Sequence, residues 1–557
     1  MTAQGLAPVP MAPPRSGPVV LITLYDGFTN LNLRWIHGVL KQAGHDCKVI
    51  RFGKLLPFEK DTDYSLFQPF WVKPPLVRPP LDPGEVRALQ DTVAGLDPCW
   101  IGFSVLAPIN HVAGRLTSAV REVCDAPVVW GGYYAISQPE FCLRHADAVC
   151  TGEGEEVAVA LTEEFKSGRR DFSAIKGLWY RSDAGEIHRN PLRPFLTPAQ
   201  LDALPATTYE RTGDEILIPT DLRDYFENKL AKCDGGKINS AAYQHDVMAA
   251  RGCWFACTFC WRNREVRSLS GRGLSYRMMS PGRAVEHARL ALSTGKKRVG
   301  FWDEIFPVDR DWVAEFAALY KERVGLPLTV ITHGRLMTDE NMEALIAAGL
   351  DSVILGIQTG CERARREVYH RPETNAELQA LAAKWHHRMF VTYEIITDNP
   401  YETVDDLREA VAFFLSLPQP FGMDANTLMY QKECEITQWA LRDGWIGSDD
   451  VLGEGDHPGP EDVTTQPVVP RSDPVRRSLQ MLVLAATYGW IPRELVAGLA
   501  ADDAVLADPV EVEMRILQEM YRFSRRQMYE YEWEMMRLYN ALREGQSLAG
   551  EREAART

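Results

Sequence analysis

The chain lacks any window of about 20 consecutive apolar residues, so no membrane-spanning helix is expected. It also lacks positive balance: 61 Lys and Arg stand against 76 Asp and Glu, a formal net charge of -15. That argues against a general nucleic-acid binder, because affinity for phosphate needs a basic surface. Cysteine is sparse, 11 in 557 residues, which is not the density of a disulfide scaffold. The first 18 residues are rich in Pro and Ala and have no apolar core of the kind a signal peptide carries. A reduced, cytoplasmic chain, monomeric and bound to neither membrane nor nucleic acid, is the expectation. What is present is ordinary for a globular protein with a substantial core: 45% hydrophobic and 25% charged residues. The length suggests three or so domains, at roughly 150 residues each.

Eight of the cysteines are dispersed, and three are not. Arg251-Gly252-Cys253-Trp254-Phe255-Ala256-Cys257-Thr258-Phe259-Cys260 places three thiols at Cys-x3-Cys-x2-Cys on a short loop after an apolar strand. Thiolates are soft ligands suited to an iron–sulfur cluster or to zinc. Three ligands leave one metal position open, and an open position implies chemistry at the metal. A zinc site whose fourth ligand lies elsewhere is the competing reading.

Strand–helix alternation surrounds this loop on both sides. Val19–Leu24, His45–Arg51, Trp100–Val105, Pro127–Trp130 and Ala148–Cys150 read as strands, with helices at Leu33–Gly44 and Val112–Cys124. That pitch predicts a doubly wound, Rossmann-like parallel sheet with ligands at the carboxyl ends of its strands. Ser104, Gly131-Gly132 and Gly152-Glu153-Gly154 fall at those ends, and glycine allows a backbone to approach a flat ligand closely. Between the second and third strands, Pro69–Pro80 is too proline-dense for helix or central strand and reads as an extended loop around Trp71. From Met248 the alternation restarts and runs to a final strand near Met423–Leu428. Its strand ends carry Asp303-Glu304, His333 with Arg335, Gln358 and Asp398.

The cysteine spacing resembles that of the radical S-adenosylmethionine (SAM) superfamily, in which three cysteines hold a 4Fe–4S cluster and SAM chelates the fourth iron. Trp130-Gly131-Gly132-Tyr133-Tyr134 and Gly152-Glu153-Gly154-Glu155 are similar to the Gly-Gly-Pro-His and Gly-Glu-Gly-Glu segments of the cobalamin-binding domain that precedes many radical SAM domains, with Tyr133-Tyr134 replacing Pro-His. The order of segments resembles the cobalamin-dependent, class B branch. The resemblance implies an α/β chain divided as a tail (1–18), a cobalamin-binding domain (19–165), a linker (166–245), a partial (β/α)6 radical SAM barrel (246–430) and a mainly helical C-terminal substrate or cap domain (431–557).

The same resemblance implies site residues. Cys253, Cys257 and Cys260 would hold the cluster. Phe259 would pack beside the adenine, Asp303 or Glu304 would take the SAM amino group, and Arg335 its carboxylate. His333, Gln358 and Glu362 would face the rest of SAM. Ser104, Gly131, Gly132, Gly152, Glu153 and Gly154 would line the cobalamin site. Tyr25–Asn30 has no Asp-x-His-x-x-Gly, and His37 falls within a helix as a surface or packing residue, so cobalt is expected without a protein histidine ligand.

The implied activity is methylation of an unactivated carbon in a small metabolite or peptide. It would proceed through methylcobalamin and a 5′-deoxyadenosyl radical, with electrons from an external flavodoxin- or ferredoxin-type donor. A non-methylating ring rearrangement or oxidative cyclisation on the same cofactors is an alternative. A non-catalytic cobalamin- or cluster-binding sensor is another, against which several amino-acid-binding strand ends speak. Pro509–Gly545 reads as one long helix capped by Asp508, with apolar residues at helical spacing, either packing or covering the substrate.

Overall fold

The computed structural model describes residues 15–24, 31–52, 81–106, 110–168, 171–182, 184–206, 212–218, 244–260, 276–451, 473–489 and 491–522. The N-terminal tail up to residue 14, Tyr25–Asn30, the proline-rich segment with Trp71 and the far part of the long C-terminal helix lie outside them.

The first sheet begins with β1 (Val19–Thr23), β2 (Cys47–Phe52), β3 (Trp100–Ser104), β4 (Val128–Gly131) and β5 (Ala148–Cys150). The hairpin β6 (Leu178–Arg181) and β7 (Ile187–Arg189) and the edge strand β8 (Glu215–Ile218) complete it. The order is β7-β6-β5-β4-β3-β1-β2-β8, with β6 running antiparallel to its neighbours β5 and β7 and the other pairings parallel. Every residue of β1 is buried, and its two faces feed two cores: Val20 and Ile22 one, Val19 and Leu21 the other. A parallel strand covered on both faces requires such an unbroken apolar run. The strand order reverses between β1 and β3, and the crevice outside such a point is where open α/β sheets bind ligands.

One boundary needs correction. Residues 178–218, read as part of a linker, supply three strands to this sheet. The hairpin pairs onto β5 and β8 onto β2, long-range pairings that no local periodicity announces.

The second sheet contains β9 (Gln244–Val247), β12 (Arg298–Phe301), β13 (Leu328–Thr332), β14 (Leu350–Gln358), β15 (Phe390–Thr397) and β16 (Gly422–Thr427). All six are parallel and adjacent in chain order, an open half-barrel. A short antiparallel ribbon, β10 (Ala250–Arg251) with β11 (Arg277–Met278), carries the chain into and out of the cysteine region. The first barrel strand is therefore Gln244–Val247 rather than the apolar Met248–Ala250. Its polar side chains are bonded: Gln244 Nε2 and Trp302 Nε1 both donate to Asp246 Oδ1, at 2.8 and 2.7 Å. Buried polar groups are tolerated when so paired.

The helices after residue 473 share the barrel's core. Leu479 and Leu482 of helix Pro474–Ala485 and Ile516 of Pro509–Arg522 join the cluster that holds Ala410 and Phe414 of helix Val404–Ser416. Asp508 caps the last helix by accepting from Val510 N at 3.0 Å. Among the described residues these helices pack against the barrel's outer helical layer. No described helix is long and apolar enough to cross a membrane.

Candidate active site

The cysteine loop leaves β10 at Arg251 and is fixed from below. Asp303, just past β12, is 1% exposed, and its Oδ1 accepts from Ala249 N (2.7 Å) and Ala250 N (2.5 Å). Burial raises the Asp303 pKa well above the usual carboxylate range, and its Oδ2 has no partner among the described residues. Asp303 thus anchors the strand that delivers the loop, while Glu304 accepts from Gly252 N at 3.1 Å and reaches the cavity beside Cys253.

The loop is braced from the other side too. Thr258 Oγ1 donates to Val368 O, Ile436 N donates to Thr258 O, and Cys434 Sγ donates to Phe259 O. Phe259 meets Tyr369 edge-on at 5.5 Å, in an apolar cluster formed with the 428–451 segment.

Cys257 is buried, and Cys253 and Cys260 are partly exposed. Burial pushes the Cys257 thiol up, and the guanidinium of Arg371 opposes that shift. Among the described residues, the group whose ligand atoms converge within 4.8 Å is Cys361, Asp406 and Glu409. The Cys361 group is an internal network: the thiol donates to Asp406 at 3.0 Å, and Arg363 neutralises that carboxylate.

Other expected SAM contacts have other neighbours. His333 is buried beneath Phe255 and pairs with Glu373. Arg335 is half exposed and donates to Pro372 O at 2.8 Å, which ties it to the surface. Glu362 accepts from Asn375 N at 2.8 Å. Gln358 ends β14 in a left-handed conformation (φ 64°) beside a register shift, and its buried Oε1 has no partner among the described residues. Strain and an unpaired acceptor at a strand end are features of a functional position.

The turn after β15 locks to the one after β14. Thr359 Oγ1 donates to Glu402 Oε1, and burial lifts the Glu402 pKa to about 7.

An open cavity, about 1300 Å³ with the solvent space at its mouth included, connects the two sheets. From the first come Ser104, Gly131, Gly132, Gly152, Glu153 and Gly154; from the second come Arg251, Gly252, Cys253, Arg277 and Glu304. It continues as an apolar slot past Trp100, Val129 and Leu161, between the sheet and helix Glu155–Ser167. No histidine lines it among the described residues. His37 is buried elsewhere, bonded to Asp214 at 3.0 Å.

Glu153 does more than line this cavity. It accepts from Arg251 at 2.9 Å and from Arg277 at 3.0 and 3.1 Å. Burial opposes its charge, yet the two arginines lower its pKa. Phe255, Arg371, Arg277 and Glu373 were not singled out as site residues from the sequence. Arg251 stands immediately before Gly252-Cys253, a local signal of its place beside the loop.

Residues 247–414 match the model described as the Radical SAM superfamily, and this span contains all three loop cysteines and the ends of β12 to β15. This part of the chain is a radical SAM domain, a family that implies a 4Fe–4S cluster and SAM. No curated protein matches the chain. Its fold is similar to that of the radical SAM methyltransferase TsrM from Kitasatospora setae, solved with tryptophan substrate and the SAM analog aza-SAM. That likeness has TM-score 0.57 at 18% identity, over 77% of this chain and 76% of that one. It is also similar to the cobalamin-dependent SAM radical enzyme OxsB with aqua-cobalamin bound: TM-score 0.61, 12% identity, over 95% and 84%.

Proposed function

We propose that the protein is a cobalamin-dependent radical SAM enzyme that methylates an unactivated carbon of a small metabolite or peptide. The observation that carries this reading is the single cavity shared by the glycine loops of the first sheet and by Cys253 and Glu304 of the second. Its apolar slot suits a cofactor with a flat head and an aromatic tail. The solved relatives support the cofactor set, since TsrM holds cobalamin and a [4Fe-4S] cluster and OxsB holds aqua-cobalamin.

Bound there, cobalamin would supply a transferable methyl group, and SAM with the cluster a hydrogen-abstracting radical. The chain's residues bind and orient. Glu304 offers a carboxylate for the SAM ammonium, a charge-assisted pairing. Gly131 lets a flat ring approach the sheet. Asp303, Phe255 and His333 hold the cysteine loop in place. The two sheets close the cavity on either side and restrict water. An external flavodoxin- or ferredoxin-type donor would supply electrons.

The test is anaerobic reconstitution followed by incubation with SAM and candidate substrates. A product heavier by one methyl group, with S-adenosylhomocysteine formed, supports the reading. 5′-Deoxyadenosine without S-adenosylhomocysteine would instead assign a non-methylating reaction. Full cluster content by Mössbauer spectroscopy in a Cys253→Ala, Cys257→Ala, Cys260→Ala protein would overturn the cluster assignment.

A further inference from the structure

The backbone forces two arginines together. β10 and β11 pair so that Arg251 lies directly across from Arg277, and like charges so opposed repel. Both side chains are largely buried, 12% and 6% exposed. One carboxylate on the other sheet answers both: Glu153 Oε1 accepts from Arg251 and Arg277, and Oε2 accepts from Arg277 and from Leu196 N at 2.7 Å. Glu155, the first residue of the following helix, takes the other arm of the Arg251 guanidinium. That guanidinium also lies over the Trp35 ring at 4.3 Å, and the neighbouring Arg34 donates to Asp246 O of β9 at 3.0 Å.

We propose that Glu153 and Arg251 are a positioning pair that sets the separation and angle between the two cofactor sites. Glu153 is flanked by Gly152 and Gly154 on the floor of the cavity, and Arg251 stands two residues before Cys253. A guanidinium fork spanning two carboxylates fixes direction as well as distance, which a lysine cannot do. The proposal rests on the reading of the cavity as shared by cobalamin and the cluster. Within it, the loop's acidic residues act on the partner sheet and leave its glycines to face the ligand.

The test uses the full chain loaded with cobalamin and cluster, reduced to cobalt(II) and the paramagnetic cluster, with the dipolar coupling between them read by pulsed electron paramagnetic resonance. Wild type should give one narrow distance distribution. Glu153→Gln leaves two facing arginines with Glu155 as the one carboxylate still bonded to either, on Arg251 alone, and should shift and broaden it, with both cofactors still at full stoichiometry. Arg251→Lys keeps the charge but cannot span both carboxylates, and should do the same; it decides the question if Glu153→Gln does not fold. Glu140→Gln, which breaks the exposed pair with Arg189, should leave the distribution unchanged. An unaltered distribution in fully loaded Glu153→Gln or Arg251→Lys would overturn the positioning role. Wild-type protein that takes up the cluster but no cobalamin would overturn the reading of the cavity, a failure visible before any substitution is made.

Discussion

Phe255 of the cysteine loop lies flat on His333, the ring centroids 4.0 Å apart and the planes 10° from parallel. His333 follows β13 and is 1% exposed, so the imidazole is a buried platform for the loop. Burial lowers its pKa, with Glu373 pulling the other way. Removing a buried ring from such a contact costs ~2–4 kcal/mol. His333→Ala should therefore lose iron and sulfide faster than wild type on exposure to a chelator. His333→Phe, which keeps a stacking surface, should retain more of both. Equal retention in His333→Ala and wild type would show that the loop does not depend on this ring.

Asp303 and Glu304 are adjacent yet answer different needs, and their variants should separate. Asp303→Asn keeps an oxygen where Oδ1 accepts two backbone N–H groups, and it mimics the protonated carboxyl that burial favours. It should fold and hold its cluster nearly as wild type does. Asp303→Ala orphans both donors and should cost ~2–4 kcal/mol, read as a lower unfolding midpoint and lower iron content. Glu304→Gln should keep the cluster and bind SAM more weakly by calorimetry. Unchanged SAM affinity would remove Glu304 from the ammonium site.

Much of this arrangement was legible in the chain. The cysteine triplet, the glycine loops and the acidic pair after β12 are local signals, and strand ends such as that of β1 follow from an apolar run, Val19–Thr23. What could not be read depends on distant partners. β9 is polar in sequence because Asp246 is satisfied by Gln244 and Trp302, the latter more than 50 positions away. Glu153 looked like a ligand contact because its arginine partners come from a ribbon about 100 residues later. For Arg335, strand-end position alone does not say which way a long side chain turns. Its surface bond to Pro372 is a property of the fold.

Glu402 makes stability depend on pH. The carboxyl is 3% exposed and carries a pKa of about 7 against an ordinary 4.5, chiefly through burial. A raised carboxylate pKa means the folded chain binds the extra proton, so its contribution is full below pH 4.5 and is lost as pH rises through 7. The loss is on the order of 3 kcal/mol at most. Glu402→Gln stays neutral throughout and can still accept from Thr359, so it should lower stability less than wild type between pH 5 and pH 8. Parallel stability profiles for the two proteins in denaturant titrations would refute the assignment.

The two glycines at the end of β4, Gly131 within it and Gly132 just past it, should fail in different ways. Gly132 sits at φ 94° and ψ -177°, a region essentially closed to other residues, and a Cβ there would lie 2.8 Å from Val105 O. Gly132→Ala should cost at least ~2 kcal/mol of stability, because neither the backbone nor the carbonyl has room to give. Gly131 has no such constraint: a Cβ there meets nothing closer than Cys150 Cβ at 3.9 Å, and the residue lines the cavity. A methyl at Gly131 therefore projects into space that the proposed cobalamin would need. Gly131→Ala should keep the wild-type unfolding midpoint and bind cobalamin several-fold more weakly, while cluster content stays unchanged. Measuring midpoint, cobalamin affinity and iron content on both variants separates a structural glycine from a ligand-facing one. Undiminished cobalamin affinity in Gly131→Ala would place the corrin away from this strand end.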